Sequence, residues 1–235
     1  MPNIDPAIIP AFIFFMLALV FSLSVHESAH AWTSNYFGDD LARLQGRISL
    51  NPVSHVDPIG TLLFPALAFF TGLPFLGWAK PTPVNPLRWR DKRVANFWVS
   101  IAGVICNAII AISAGIILRI MDASHLIALY PHPYFGLGAL QPENTSLFVE
   151  GAVKLLTTFY SLNVGLAVFN LLPIPPLDGS KVLSSILPPS FEPGLEALER
   201  FGFILLIVAM YTGVLGVIFR LVMPLVSYPF LIGLG

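Results

Sequence analysis

The chain has 235 residues, 56% of them hydrophobic and only 11% charged, with a mean hydropathy of +0.80. A soluble domain carries about 25% charged residues, so the composition excludes a water-soluble globule and indicates an all-α polytopic protein embedded in the lipid bilayer. A net charge of −1, with no lysine or arginine cluster on a soluble segment, excludes a general nucleic-acid binder. The single cysteine, Cys106, rules out an intramolecular disulfide and reads as a buried, inert thiol.

Four stretches are long enough to span a bilayer, at about 7–36, 94–120, 147–171 and 201–223. The first runs directly into His26-Glu27-Ser28-Ala29-His30. On a helix, positions i and i+4 lie about 40° apart and about 6 Å along the axis, so both imidazoles leave one face and suit a single zinc ion. Glu27 is rotated about 100° from His26. That keeps it out of the ligand set and beside the open position, where a carboxylate can take a proton from water. Three ionisable groups in five residues of an apolar helix carry a cost of a few kcal/mol on insertion scales. A chance pattern inside a helix bundle is therefore a weak alternative. The motif also argues against a cleavable leader, since 1–10 has no lysine or arginine and cutting after the apolar run would remove it.

Downstream, 47–52 alternates polar and apolar residues and reads as a short strand near the cytoplasmic face, its partner the proline-rich stretch 79–86. The alternative is a plain proline-rich surface loop. Between them, 59–79 is apolar but broken at Gly72-Leu73-Pro74, with Arg43 and Arg47 before it and Lys80, Arg88, Arg90, Lys92 and Arg93 after it. The positive-inside rule places both ends in the cytoplasm, which favours a re-entrant helical hairpin over a fifth span and puts the N-terminus outside. His55 and Asp57 lie in a turn before Pro58 and are expected to satisfy local backbone groups. Segment 121–146 has no lysine or arginine and is expected outside, with His125 and His132 incidental. Residues 188–200 read as a short interfacial helix leading into the last span.

Catalytic zinc commonly takes three protein ligands, so His26 and His30 need a third. The third long span ends in Asn170-Leu171-Leu172-Pro173-Ile174-Pro175-Pro176-Leu177-Asp178-Gly179, whose prolines unwind the helix. Unwound backbone at membrane depth is tolerated only where protein or a water-filled cavity satisfies it. Asp178 is the expected third ligand; the alternative is a helix-capping aspartate. Asn170, one turn earlier, is placed to donate to the oxyanion of a tetrahedral intermediate, or else to hydrogen-bond between helices.

The His26–His30 motif, the run ending in Asp178-Gly179, and Asn51-Pro52 through His55-x-Asp57-Pro58-Ile59-Gly60 together resemble the site-2 protease family of intramembrane zinc metalloproteases. The resemblance covers about 20–187. It implies a three-helix core with zinc recessed towards the cytoplasm, His26, His30 and Asp178 as ligands, Glu27 as general base, and Asn170 as an asparagine that helps hold the substrate or intermediate. Ala102-Gly103-Val104-Ile105-Cys106-Asn107 is similar to the family's Ala-Gly-Pro-x-x-Asn element, with Val104 where proline is usual. Gly103 and Asn107 would let two helices approach closely. The expected organisation is one membrane-embedded domain, 1–235, with a zinc core at about 7–187 and a C-terminal helix at about 201–223, in a minimal form without PDZ or CBS domains. The expected activity is zinc endopeptidase cleavage of single-pass membrane proteins, using one zinc ion. A zinc transporter or a non-catalytic zinc scaffold is the alternative; neither would have a use for Glu27 beside an open position.

Overall fold

The computed structural model describes residues 7–73, 77–133 and 135–232, with Glu192 described by its backbone only. Four helices are long and apolar enough to cross a membrane: α1 (Ile8–Tyr36), α4 (Lys92–Ala123), α5 (Leu147–Asn170) and α8 (Val214–Leu231). Between them lie the short helices α2 (Leu41–Leu44), α3 (Phe64–Thr71) and α6 (Asp178–Ile186), and the longer α7 (Glu192–Tyr211). Large apolar side chains face outward at helical spacing, as in Ile9, Ile13, Leu17 and Phe21 of α1 and Ile105, Ile109, Ile112 and Ile116 of α4. In water such stripes would be an aggregation surface; against lipid they are the solvent-facing side.

The core packs α4 against α5 and α1. Its apolar cluster joins Ala111, Ala114 and Leu118 of α4, Val153, Tyr160 and Val164 of α5, and Met223 of α8. A two-stranded antiparallel hairpin, β1 (Ala128–His132) and β2 (Gly136–Leu140), covers this end and contributes Leu129 and Leu137. The Tyr160 hydroxyl lies 2.9 Å from Ser227 Oγ, tying α5 to α8. The small residues of α4 in this cluster, Ala111 and Ala114, let the helices approach closely.

Three expectations need correction. The β-hairpin is at 128–140, and the stretch 47–52 is not a strand. His55 Nε2 donates to Ser49 O at 2.7 Å, which occupies a carbonyl that a ladder would need, and Pro81, Pro83 and Pro86 deprive the partner of donors. The two segments are joined instead by the buried Arg47, whose guanidinium donates to the carbonyls of Ser54, Lys80 and Pro81. The last span does not run over 201–223: Gly213, in the left-handed region at φ 79°, separates α7 from α8. The interfacial helix expected at 188–200 is the first part of α7, continuous through to Tyr211.

The segment after Pro58 enters as a π-helical turn (Pro58–Leu63) and continues as α3, whose Phe69 and Phe70 pack on Phe12 and Phe15 of α1. Asp57 caps its start, accepting from Ile59 N at 3.0 Å and Gly60 N at 2.7 Å, the turn role expected for it. Trp78 N donates back to Gly60 O at 3.1 Å, and Lys80 N to His55 O at 2.8 Å, so the chain returns beside its entry as a hairpin. The expected turn at Gly72-Leu73-Pro74 lies partly outside the described residues; Gly72 ends α3 in the left-handed region. The return at 77–80 is irregular and not helical.

The chain then docks on the end of α1 through Asp39, which is fully buried. Its carboxylate accepts from Ser34 Oγ at 3.0 Å, Leu41 N at 3.2 Å and Asn85 N at 2.7 Å. Removing that acceptor leaves buried donors unpaired, at a cost of about 1–3 kcal/mol. Asp39→Ala should therefore lower the midpoint of thermal unfolding in detergent by several degrees, whereas Asp40→Ala, a half-exposed acid next to it, should change it little.

Candidate metal centre

His26 and His30 leave α1 on one face, at the level where α4 crosses it. Ring size decides what α4 can place there. A Cβ on Gly103 would lie about 2.5–2.6 Å from Cε1, Nδ1 and Nε2 of His26, so only glycine leaves room for the imidazole. The expected close approach of helices at Gly103 is thus an approach to a ring.

Each histidine is held by its Nδ1. His30 Nδ1 donates to Val99 O at 2.6 Å. His26 Nδ1 lies 2.6 Å from Asn107 Oδ1, and the amide orientation follows from its neighbours. Asn163 Nδ2 donates to the main-chain carbonyl of Phe159 at 2.9 Å and to Ser22 Oγ at 2.8 Å, so its Oδ1 is the atom that accepts from Asn107 Nδ2 at 2.8 Å. Asn107 Oδ1 must then face His26, which makes Nδ1 the protonated nitrogen. Ser22, Asn107 and Asn163 are all fully buried.

With both Nδ1 atoms donating, both Nε2 lone pairs point into one space. They are 3.0 Å apart, and Asp178 Oδ2 lies 3.2 Å from His26 Nε2 and 3.3 Å from His30 Nε2. That oxygen is buried and has no hydrogen-bond partner among the described residues. Two lone pairs and a carboxylate oxygen this close repel one another unless a proton or a metal cation lies among them. A tetrahedral zinc ion with bonds of about 2.0–2.2 Å keeps its ligand atoms roughly 3.3–3.6 Å apart, so the donor set fits in chemistry and comes within a few tenths of an ångström in spacing. His26, His30 and Asp178 are the one His/Cys/Asp/Glu group of this kind among the described residues.

Asp178 reaches the site because the chain unwinds after Asn170. The turns at 171–177, with a cis Pro175–Pro176 bond, redirect it into α6. Gly179 passes against the backbone of Leu171 and Leu172, where a Cβ would collide with main-chain atoms. Leu177 is the N-cap of α6 and makes no side-chain cap, so Asp178 opens the helix without capping it. The far end of α6 is held by α4: Arg93 Nε donates to Ser185 O at 2.7 Å and Asn96 Nδ2 to Ser185 Oγ at 2.7 Å.

Glu27 is half-buried and lies outside this triad, as its place on the helix requires. Its Oε2 accepts from the N–H and the hydroxyl of Thr82 at 2.9 and 2.8 Å. Asn170 is half-buried and donates to Leu166 O of its own helix at 3.0 Å; the structure does not bring it into hydrogen-bond contact with the three donor atoms. His55 is buried away from the triad, and that burial pushes its imidazole below the ordinary histidine range. Cys106 is half-buried, not buried as expected. It lines an apolar groove of about 620 Å³ between α1 and α4, together with Ser28, Ala29, Trp32, Ile48 and Leu50. Asn107, Asn163, Ser22 and Thr82 were not singled out as site residues from the sequence. For the first three the signal was present, as lone amides and a hydroxyl in apolar spans.

Residues 14–209 match the sequence profile of peptidase family M50. The chain belongs to that family. Among the relatives it resembles is "Putative zinc metalloprotease YwhC" of Bacillus subtilis, 35% identical over 199 residues, which are 85% of this chain and 80% of that one. It is also similar to "Putative zinc metalloprotease Rip2" of Mycolicibacterium smegmatis, 28% identical over 203 residues, 86% of this chain and 68% of the relative. Rip2 of Mycobacterium tuberculosis is 26% identical over 197 residues. No solved structure matches the chain. Family membership and the four apolar helices make this M50 member a multi-pass membrane protein.

The Asn107 contact generates a test. Outer hydrogen bonds to ligating histidines are worth about 10- to 100-fold in metal affinity. Asn107→Leu removes the acceptor from His26 Nδ1–H and should weaken zinc binding by that factor in chelator competition, while Asn96→Leu, on the α6 side of the same helix, should change it much less.

Proposed function

We propose that this chain is a zinc endopeptidase that cleaves other membrane proteins within or beside their spanning helices. The observation that carries the reading is the convergence of His26 Nε2, His30 Nε2 and Asp178 Oδ2 inside an apolar bundle, with Glu27 on the same helix. His26, His30 and Asp178 would hold one zinc ion, which when bound supplies Lewis acidity to the scissile carbonyl and makes a water acidic enough to attack at neutral pH. Glu27 takes the proton from that water and delivers it to the leaving amine. Asn170 has two N–H bonds on its amide and spends one on Leu166 O; the other is its means of donating to the developing oxyanion.

The apolar groove supports a membrane-protein substrate class. Its lining is almost wholly apolar, it opens beside Ser28 and Ala29, and it lies between two helices whose outer faces are lipid-facing. A hydrophobic segment of a single-pass membrane protein fits this surface, and a water-soluble peptide does not. Because 47–52 is irregular and is tied to Ser54, Lys80 and Pro81 by Arg47, we place the substrate against Ile48 and Leu50 as side-chain contacts and not as an added strand. Arg43, Arg47, Lys80 and Arg88 gather at the Glu27–His30 end of α1, which supports a cytoplasmic site and an external N-terminus.

The experiment compares wild type with Glu27→Gln in detergent for zinc content and for cleavage of a panel of single-pass substrates. Both should bind about one zinc, and only the wild type should cut. Equal cutting by the variant overturns the role of Glu27, and zinc flux into vesicles with no cutting by either protein overturns the peptidase reading. The single native thiol tests the groove: in Glu27→Gln, a substrate carrying one cysteine along its apolar segment should form a disulfide with Cys106 at a subset of positions. Cross-linking at none of them would remove the groove from substrate binding.

A further inference from the structure

The hydrogen bonds to the Glu27 carboxylate among the described residues all come from one residue and end on one oxygen. Thr82 N donates to Oε2 at 2.9 Å. Its hydroxyl lies 2.8 Å from the same oxygen and 2.9 Å from the main-chain carbonyl of Glu27, so one hydrogen is shared between two acceptors. Thr82 is itself held. Pro81 and Pro83 on either side fix their own φ angles. Arg47 Nη2 donates to Lys80 O at 2.7 Å and Pro81 O at 2.6 Å, Lys80 N donates to His55 O, and Asn85 N ends on Asp39. Among the described residues the buried Arg47 guanidinium donates to carbonyl oxygens in every case. A buried cation spent on three carbonyls is an anchor for the backbone that carries them. Anchors therefore stand on both sides of Thr82, within three residues of it.

Fixing a glutamate side chain costs it rotamer freedom, and hydrogen bonds to a charged acceptor are strong enough to fix it. Engaging Oε2 alone leaves Oε1 as the oxygen presented for proton transfer. We propose that Thr82, clamped by Arg47 and Asp39, is a positioning residue for Glu27. The assignment rests on Glu27 as the base in the reading above; Thr82 touches neither substrate nor the triad.

The test uses the full-length protein with Thr82→Val, Thr82→Ser and, in parallel, Glu27→Gln. Misplacement of a catalytic group by about 1 Å costs about 100-fold, so Thr82→Val should lose about 10- to 100-fold in kcat, with KM, zinc content and thermal midpoint near wild type. Thr82→Ser, which keeps both donors, should restore most of the rate. Thr82 carries the only amide between Lys80 and Val84, so hydrogen exchange reads the contact directly: it should be slow in wild type and fast in Glu27→Ala. A Thr82→Val enzyme at or above the wild-type kcat overturns the proposal, as does fast exchange at Thr82 in wild type. If Glu27→Gln is inactive and Thr82→Val is not impaired, Thr82 alone is misassigned; if Glu27→Gln remains active, the reading of Glu27 fails with it.

Discussion

Two imidazole lone pairs and a carboxylate oxygen are held within 3.3 Å of one another in an apolar bundle, and electrostatics opposes each of those contacts unless a proton or a metal cation lies among them. The molecule sustains the arrangement by fixing both rings from behind. One ring is held by a main-chain carbonyl of α4, and the other by a relay that runs from Asn107 through Asn163 to Ser22. The relay visits α4, α5 and α1 in turn. In a membrane interior a buried amide without a partner is costly, so three helices can satisfy these groups only in one relative rotation. The polar relay thereby aligns the helices, and the apolar cluster around Leu118 and Tyr160 supplies packing at the other end.

Gly103 and Gly179 show the same demand from the side of space. One leaves room for the His26 ring and the other for the backbone that turns Asp178 inward. Val104, which departs from the proline usual in the resembling element, is buried within an unbroken α4. The helix path at this point is set by Gly103 against His26, and no proline is needed for it.

A second set of constraints acts on the loops. Asp39 and Arg47 are buried charges of opposite sign that do not pair with each other; each collects backbone or hydroxyl groups from segments distant in sequence. Through them the end of α1, the segment around 54–60 and the 80–86 segment become one unit, and Glu27 is tethered to it. A glutamate on a membrane helix is in this way held by a loop whose own conformation is set by proline and by an arginine.

Much of this was legible beforehand. An i, i+4 histidine pair on an apolar helix, an aspartate after a proline-broken span and the positions of three spans follow from local rules of period, length and charge, which need no knowledge of the fold. Asp57 as a turn residue follows likewise. The strand expected at 47–52 and the span expected over 201–223 failed for tertiary reasons: His55 takes the carbonyl that pairing would require, and an apolar stretch with glycine is compatible with a helix until Gly213 adopts a positive φ. The amino-acid sequence by itself determined which donor atoms are available and where three of the four apolar spans run, because ligand chemistry and hydropathy belong to residues. Only the tertiary structure decided the tautomers of His26 and His30, the approach of Asp178 and the hold of Thr82 on Glu27, because each depends on contacts between residues about 55 to 150 positions apart in the chain.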